Sequence, residues 1–148
     1  GGIKMAHEAT VASLKATFED WRTCLNEGRL DDFFAYFHAD SDTLDEDYPW
    51  RMTKDEFIDH IAYHATSNGG QGLWEFFQWI PRECNFVVVG TTGHIAGFST
   101  FRGKPRDAGF RQRFMGFTLT WALDEGSWKV LCWHQSVPQG RISGASPS

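Results

Sequence analysis

Three helical segments followed by four long strands predict an α+β protein, with the helices packed on one face of a strongly curved antiparallel sheet. Three observations carry this expectation. Apolar residues recur at three- and four-residue steps up to Ala62, the period becomes two from Leu73 onward, and strong breakers separate the segments at Gly28, Ser67–Gly72 and Asp124-Glu125-Gly126. The 148 residues form one expected domain over positions 6–138, with an N-terminal extension at 1–5 and a flexible tail at 139–148. No internal repeat is visible.

The first helix is expected from Ala6 to Asn26, where Val11, Leu14, Phe18, Trp21 and Leu25 make one apolar stripe. Gly28 ends it, since a residue just past a helix C-terminus often needs positive φ. Leu30, Phe33, Phe34 and Phe37 then form a short second helix turning directly off the first. An acidic, turn-rich stretch from Asp40 to Asp47 surrounds a short strand expected at Thr43 to Tyr48, stopped by Pro49. Thr53 and Glu56 form a capping box that opens a third helix, with Phe57, Ile58, Ile61 and Ala62 as its buried stripe. Strands follow at about Glu75 to Val89, with Pro81 at a bulge or edge, and at His94 to Arg102. The last two strands form the Phe110–Ser136 hairpin. Within that hairpin, Arg113, Met115, Phe117, Leu119 and Trp121 share one face. Strict alternation in the final strand groups Trp128, Val130, Cys132, His134 and Ser136. Apolar residues on both faces of the strand from Phe110 to Leu123 imply covering on both sides, by helices and by a second subunit.

Composition bounds the function. Seven Trp and thirteen Phe bring aromatic residues to 16%, which favours a rigid core or an aromatic-lined cavity. A net charge of −5 without a basic block argues against nucleic acid as a partner. No apolar run approaches membrane-spanning length and no signal-peptide core is present, so the expected location is cytoplasmic. Cys24, Cys84 and Cys132 lack zinc or disulfide spacing and read as reduced, buried thiols. No cofactor and no metal are expected. Glu56, His60 and His64 have i, i+4 spacing, but a stripe centred on Ile58 and Ile61 turns His60 away from the core, and a site would need further ligands.

The order of elements, with Leu25-Asn26-Glu27-Gly28-Arg29-Leu30 at the first helix junction and Gly126-Ser127-Trp128-Lys129-Val130 opening the last strand, resembles the nuclear-transport-factor-2-like superfamily. Within it, the chain resembles the SnoaL-like and ketosteroid-isomerase-like domains. That resemblance implies a cone-shaped α+β barrel of cystatin-like fold, an apolar cavity at the wide end and, in many members, a homodimer. It also places the isomerase's general-base Asp on Asp45, its oxyanion-donating Tyr on Trp21 and its protonated Asp near Leu119. Because Leu119 donates no hydrogen bond and Trp21 is a bulkier donor, ketosteroid isomerase itself is rejected and the scaffold retained.

Two functions follow as expectations. The first is a cofactor-independent isomerase, cyclase or dehydratase-type enzyme acting on a small apolar or amphipathic molecule. Asp45 is its base, and His134 its acid or hydrogen-bond donor. Trp21, Arg113, Phe117, Leu119, Trp121 and Ser136 are the expected ligand-binding residues, with Arg113 able to hold a ligand carboxylate. The second is a non-catalytic ligand-binding or homo-oligomerisation domain. On that reading Asp45 belongs to a solvated acidic loop, His134 is a core histidine bonded to backbone or to Ser136, and Arg113 emerges at a basic hairpin rim.

Overall fold

The structure is a computed structural model, and it describes residues 7–64 and 74–138. The expected extension at 1–5 and tail at 139–148 lie outside the described residues. Helix α1 spans Val11–Asn26, α2 Leu30–Ala35 and α3 Lys54–His64. The strands are β1 (Phe37–Leu44), β2 (Met52–Thr53), β3 (Trp74–Val89), β4 (Thr92–Pro105), β5 (Arg111–Asp124) and β6 (Ser127–Ser136). They form one curved, unclosed six-stranded sheet in the order β2-β1-β6-β5-β4-β3. The architecture is therefore the expected α+β cone, antiparallel throughout except where β1 runs parallel to β6.

Local chemistry sets the boundaries. Thr10 caps α1, its hydroxyl accepting the Ser13 N–H at 3.1 Å, so the helix begins with the first stripe residue, Val11, five residues later than the expected Ala6. Gly28 takes φ of 75°, and α2 leaves at an angle that lets both helices lie on the sheet. The Thr53–Glu56 box is reciprocal: Glu56 N–H donates to Thr53 Oγ1 at 3.2 Å, and Thr53 N–H to Glu56 Oε1 at 3.0 Å. These same bonds hold the exposed Glu56 carboxyl below its ordinary range. The β5–β6 turn places Glu125 and Gly126 at φ of 50° and 76°, the paired positive values a two-residue hairpin demands.

The inner face of the sheet meets the helices in an aromatic core. Phe18, Trp21, Phe33, Phe37, Trp79, Phe117, Trp121 and Trp133 are all buried there, with Trp21 in edge contact with Trp79, Trp121 and Trp133. At the edge strand β3, Asn26 replaces a missing strand: its side chain donates to the Trp79 carbonyl at 2.9 Å and accepts the Trp79 N–H at 2.7 Å. Among the described residues, no helix is long and apolar enough to cross a membrane.

Two irregularities correct the period-two reading. In β3 a bulge falls between Arg82 and Asn85, with Glu83 at φ of 53°, while Pro81 pairs with Ser99 on this edge strand, the edge position being one of the two expected for it. In β6 the register with β5 jumps between Trp121↔Val130 and Thr120↔Cys132, leaving Leu131 as an extra residue. Beyond Leu131 the faces exchange: Trp128, Val130, Trp133 and Gln135 belong with the inner face, while Cys132 and His134 belong with the outer.

Candidate functional site

A cavity of about 130 Å³ opens at the wide end of the cone, between α3, the segment after β1, and the ends of β3 to β6. Its floor is apolar, from Leu25, Phe57, Ile61, Phe77, Trp79, Phe101, Met115 and Trp133. Its polar lining is Thr43, Asp45, Glu46, Asp47, His60, Arg111, Arg113 and Gln135. The strand register explains the order of the walls. Trp79, Phe101 and Arg113 stand in one cross-strand row, and Phe77, Gly103 and Arg111 in the next row outward.

Asp45 and His60 are the centre of the polar side. Their side chains are 16% and 10% exposed, and His60 Nε2 lies 3.5 Å from both Asp45 Oδ2 and Asp47 Oδ1. Asp45 also accepts from Gln135 Nε2 at 2.9 Å and from the Glu46 N–H at 2.8 Å through Oδ1. Gln135 is in turn oriented by Trp79, whose indole N–H donates to Gln135 Oε1 at 3.1 Å. Because the amide oxygen is occupied by Trp79, the amide nitrogen must face Asp45. The hydrogen bonds to Asp45 and Asp47 outweigh burial and raise the His60 pKa from 6.5 to about 9, so His60 is an imidazolium at neutral pH. The Tyr48 ring packs beside it, at 5.3 Å between centroids.

Arg113 Nη1 holds Glu46 Oε2 at 3.0 Å. Burial pushes the Glu46 carboxyl up, with Arg113 opposing that shift and Asp47 and Asp45 adding to it. The donor atoms of Asp45, Asp47 and His60 lie within 4.8 Å of one another. A protonated His60 donates to both carboxylates there and offers no lone pair to a cation.

The sequence-predicted site residues separate into three groups. Asp45 and Arg113 line the cavity. Trp21, Leu119 and Trp121 are fully buried and Phe117 is 4% exposed; they fill the narrow end of the cone, below the cavity, because Phe18 and Trp21 of α1 reach down onto them. His134 and Ser136 do not join Asp45. The Leu131 bulge turns His134 to the exposed outer face opposite Thr118, where His94 also lies, bonded to Thr120 at 3.2 Å, and Ser136 is exposed beyond it.

His60 was misplaced for a related reason. Phe57 is the fully buried residue of α3 among those described, Ile58 and Ile61 are both half-buried beside it, and His60 falls on the Phe57 side as i+3. The capping box held the clue, since fixing Thr53 outside the helix fixes which face Phe57 presents. Gln135 carried no signal of its own.

No protein-family model matches the chain, and no curated protein matches it in sequence. Solved structures do match. A presumed calcium/calmodulin-dependent protein kinase II association domain from Xanthomonas campestris superposes with a TM-score of 0.71 at 13% identity, over 93% of this chain and 96% of that one. A presumed dehydratase of the NTF2-like family from Streptomyces avermitilis gives 0.71 at 12% identity, over 88% and 96%. An NTF2-like protein with a cystatin-like fold from Novosphingobium aromaticivorans gives 0.63 at 12% identity, over 87% and 82%. The class defined by sheet and helices is an α+β cone with a cavity at its wide end. The fold is the NTF2-like, cystatin-like fold, which is found with both a dehydratase-type name and an association-domain name.

Proposed function

We propose that the chain is a cofactor-independent acid–base enzyme of the isomerase or dehydratase type, acting on a small, largely apolar molecule held in the wide-end cavity. The observation that carries this reading is the Asp45–His60 pair, four-fifths or more buried, set against an aromatic floor. A carboxylate and an imidazolium within hydrogen-bond reach of one reacting centre supply the two groups an elimination or enolisation needs. Asp45 takes the proton from carbon next to a carbonyl. His60 delivers a proton to the departing hydroxyl or to the developing enolate oxygen, the role the sequence alone gave to His134. Gln135 and Trp79 keep Asp45 turned toward the cavity, and the apolar floor excludes water from the reacting carbon.

The test is a panel of small cyclic ketones and β-hydroxy ketones, followed by proton–deuterium exchange and by enone absorbance. Wild type should accelerate at least one member, and Asp45→Asn should lower that rate by about 10²- to 10⁴-fold. An accelerated reaction that Asp45→Asn leaves unchanged would remove Asp45 as the base.

A second proposal concerns assembly. Phe76, Phe98, Phe110 and Phe114 are 43–54% exposed, and Arg82 stacks over Phe98 and Phe114 at 5.6 and 5.9 Å. Such an aromatic patch on the sheet's outer face favours a homodimer through that face. The association-domain neighbour supports self-assembly. Dimerisation and catalysis use opposite faces of the sheet and are compatible.

A further inference from the structure

We infer that the ligand of the wide-end cavity is a small anion, a single-ring carboxylic acid or its equivalent, whose carboxylate is taken by Arg111 at the rim. This rests on the cavity being the ligand pocket proposed above, and goes on to name the ligand's chemistry.

Size sets the first bound. The cavity holds about 130 Å³, and a cavity of roughly 150 Å³ accommodates benzene. One six-membered ring fits; a fused polycycle does not. The ring would lie against Trp79, Trp133 and Phe101, with the Asp45–His60 pair at its side.

Charge sets the second. The three carboxylates that line the cavity are engaged: Asp45 and Asp47 with His60, and Glu46 with Arg113. Arg111 also lines it, and among the described residues it has no carboxylate partner. In its cross-strand row, Gly103 stands between Phe77 and Arg111, so the neighbour across the strand from the guanidinium has no side chain.

The surroundings agree with the assignment. Arg102, Lys104, Arg106, Arg111 and Arg113 lie at this end of the β4–β5 hairpin, where Lys104 pairs with Glu75 and Arg113 with Glu46. Arg111 offers a carboxylate a fixed, planar, two-point contact, leaving the ring to point down the cone.

The experiment compares benzoate with benzamide, its neutral isostere, by NMR titration of the full chain. Benzoate should bind about tenfold or more tightly than benzamide at low ionic strength, the gap narrowing with added salt. Arg111→Gln should bring benzoate down to the affinity of benzamide while leaving benzamide unchanged. Arg111→Lys should restore part of the preference, and Arg106→Gln, in the loop beyond β4, should retain it. A preference that survives Arg111→Gln overturns the assignment. Equal binding of the two rings by wild type also overturns it, yet leaves the pocket itself standing. Failure of both rings to bind removes both the anion assignment and the ligand pocket on which it rests.

Discussion

At the scale of single residues, the proton on His60 governs the site. Its folded pKa of about 9 stands above the ordinary 6.5, so folding favours the charged form. The resulting stabilisation is complete below pH 6.5 and is lost as pH rises through 9, and its upper bound is about 3 kcal/mol. Chemical denaturation should therefore show wild type losing stability between pH 6.5 and 9.5 relative to His60→Asn, with little difference between the two slopes below pH 6. The same proton is the acid of the proposed reaction, so the rate should fall on the alkaline side through an apparent pKa near 9. Imidazole NMR reads that value directly. Asp45→Asn should lower it, because Asp45 is the largest cause of the shift.

At the scale of elements, the β3 bulge and β4 are fitted to each other at Gly97. A Cβ built there would meet Cys84 Cα and Sγ at 3.0 Å and the Arg82 carbonyl at 3.1 Å, two of them backbone atoms that cannot rotate away. Gly97→Ala should destabilise the protein by about 1 to 3 kcal/mol in urea titration. A change below a few tenths would show that the bulge yields freely. Most elements were legible in the sequence, but β1 runs Phe37–Leu44, taking Phe37 from the expected second helix and ending before the expected Tyr48, and β2 was not foreseen. The capping box, the glycine after α1 and the long alternating strands rest on contacts between near neighbours in the chain, and those are written in local spacing. Bulges are not, because an extra residue in a strand is stabilised by what the neighbouring strand and helices do with it. Asp45 was assigned through the resemblance, although a register irregularity between Phe37 and Asp42 precedes it, and Arg113 through the regular alternation at the start of β5; both line the cavity. Gln135 and His134 follow the one at Leu131, and their faces were exchanged. Trp21, Leu119 and Trp121 had the correct face but the wrong depth, since periodicity assigns direction and says nothing of how far down the cone a helix reaches.

At the scale of the molecule, the two faces of the sheet differ in kind. The inner face is closed by helices and leaves one end open; the outer face carries Phe76 against Phe110, at 6.4 Å between rings, and Arg102 over Phe110 at 5.5 Å. The proposed homodimer covers this outer patch. Light scattering should give twice the chain mass at tens of micromolar, and Phe114→Asp, at a position 54% exposed, should return monomers that keep their fold by circular dichroism. A monomeric wild type would leave the arginine–aromatic stacking as a surface device that keeps the patch in water. If the dimer forms, its seam and the cavity lie on opposite sides of β5, and ligand contacts at Arg113 and Met115 are one residue away along the chain from seam contacts at Phe114.

Leu131 makes the last strand read in two frames. Upstream of it, even positions build the core; downstream, odd positions do, and Trp133 and Gln135 reach the cavity only because one residue has been set aside. Were Leu131 drawn into regular pairing instead, the composition would be unchanged and yet His134 would replace Gln135 as the group facing Asp45, trading an amide for an imidazole, whereas deleting Leu131 would leave the pairing of Cys132 to Ser136 as it is. Pairing, at this point in the fold, acts as a chemical substitution: whether one leucine stands in the ladder or outside it decides whether an amide or a second histidine faces the mouth of the cone.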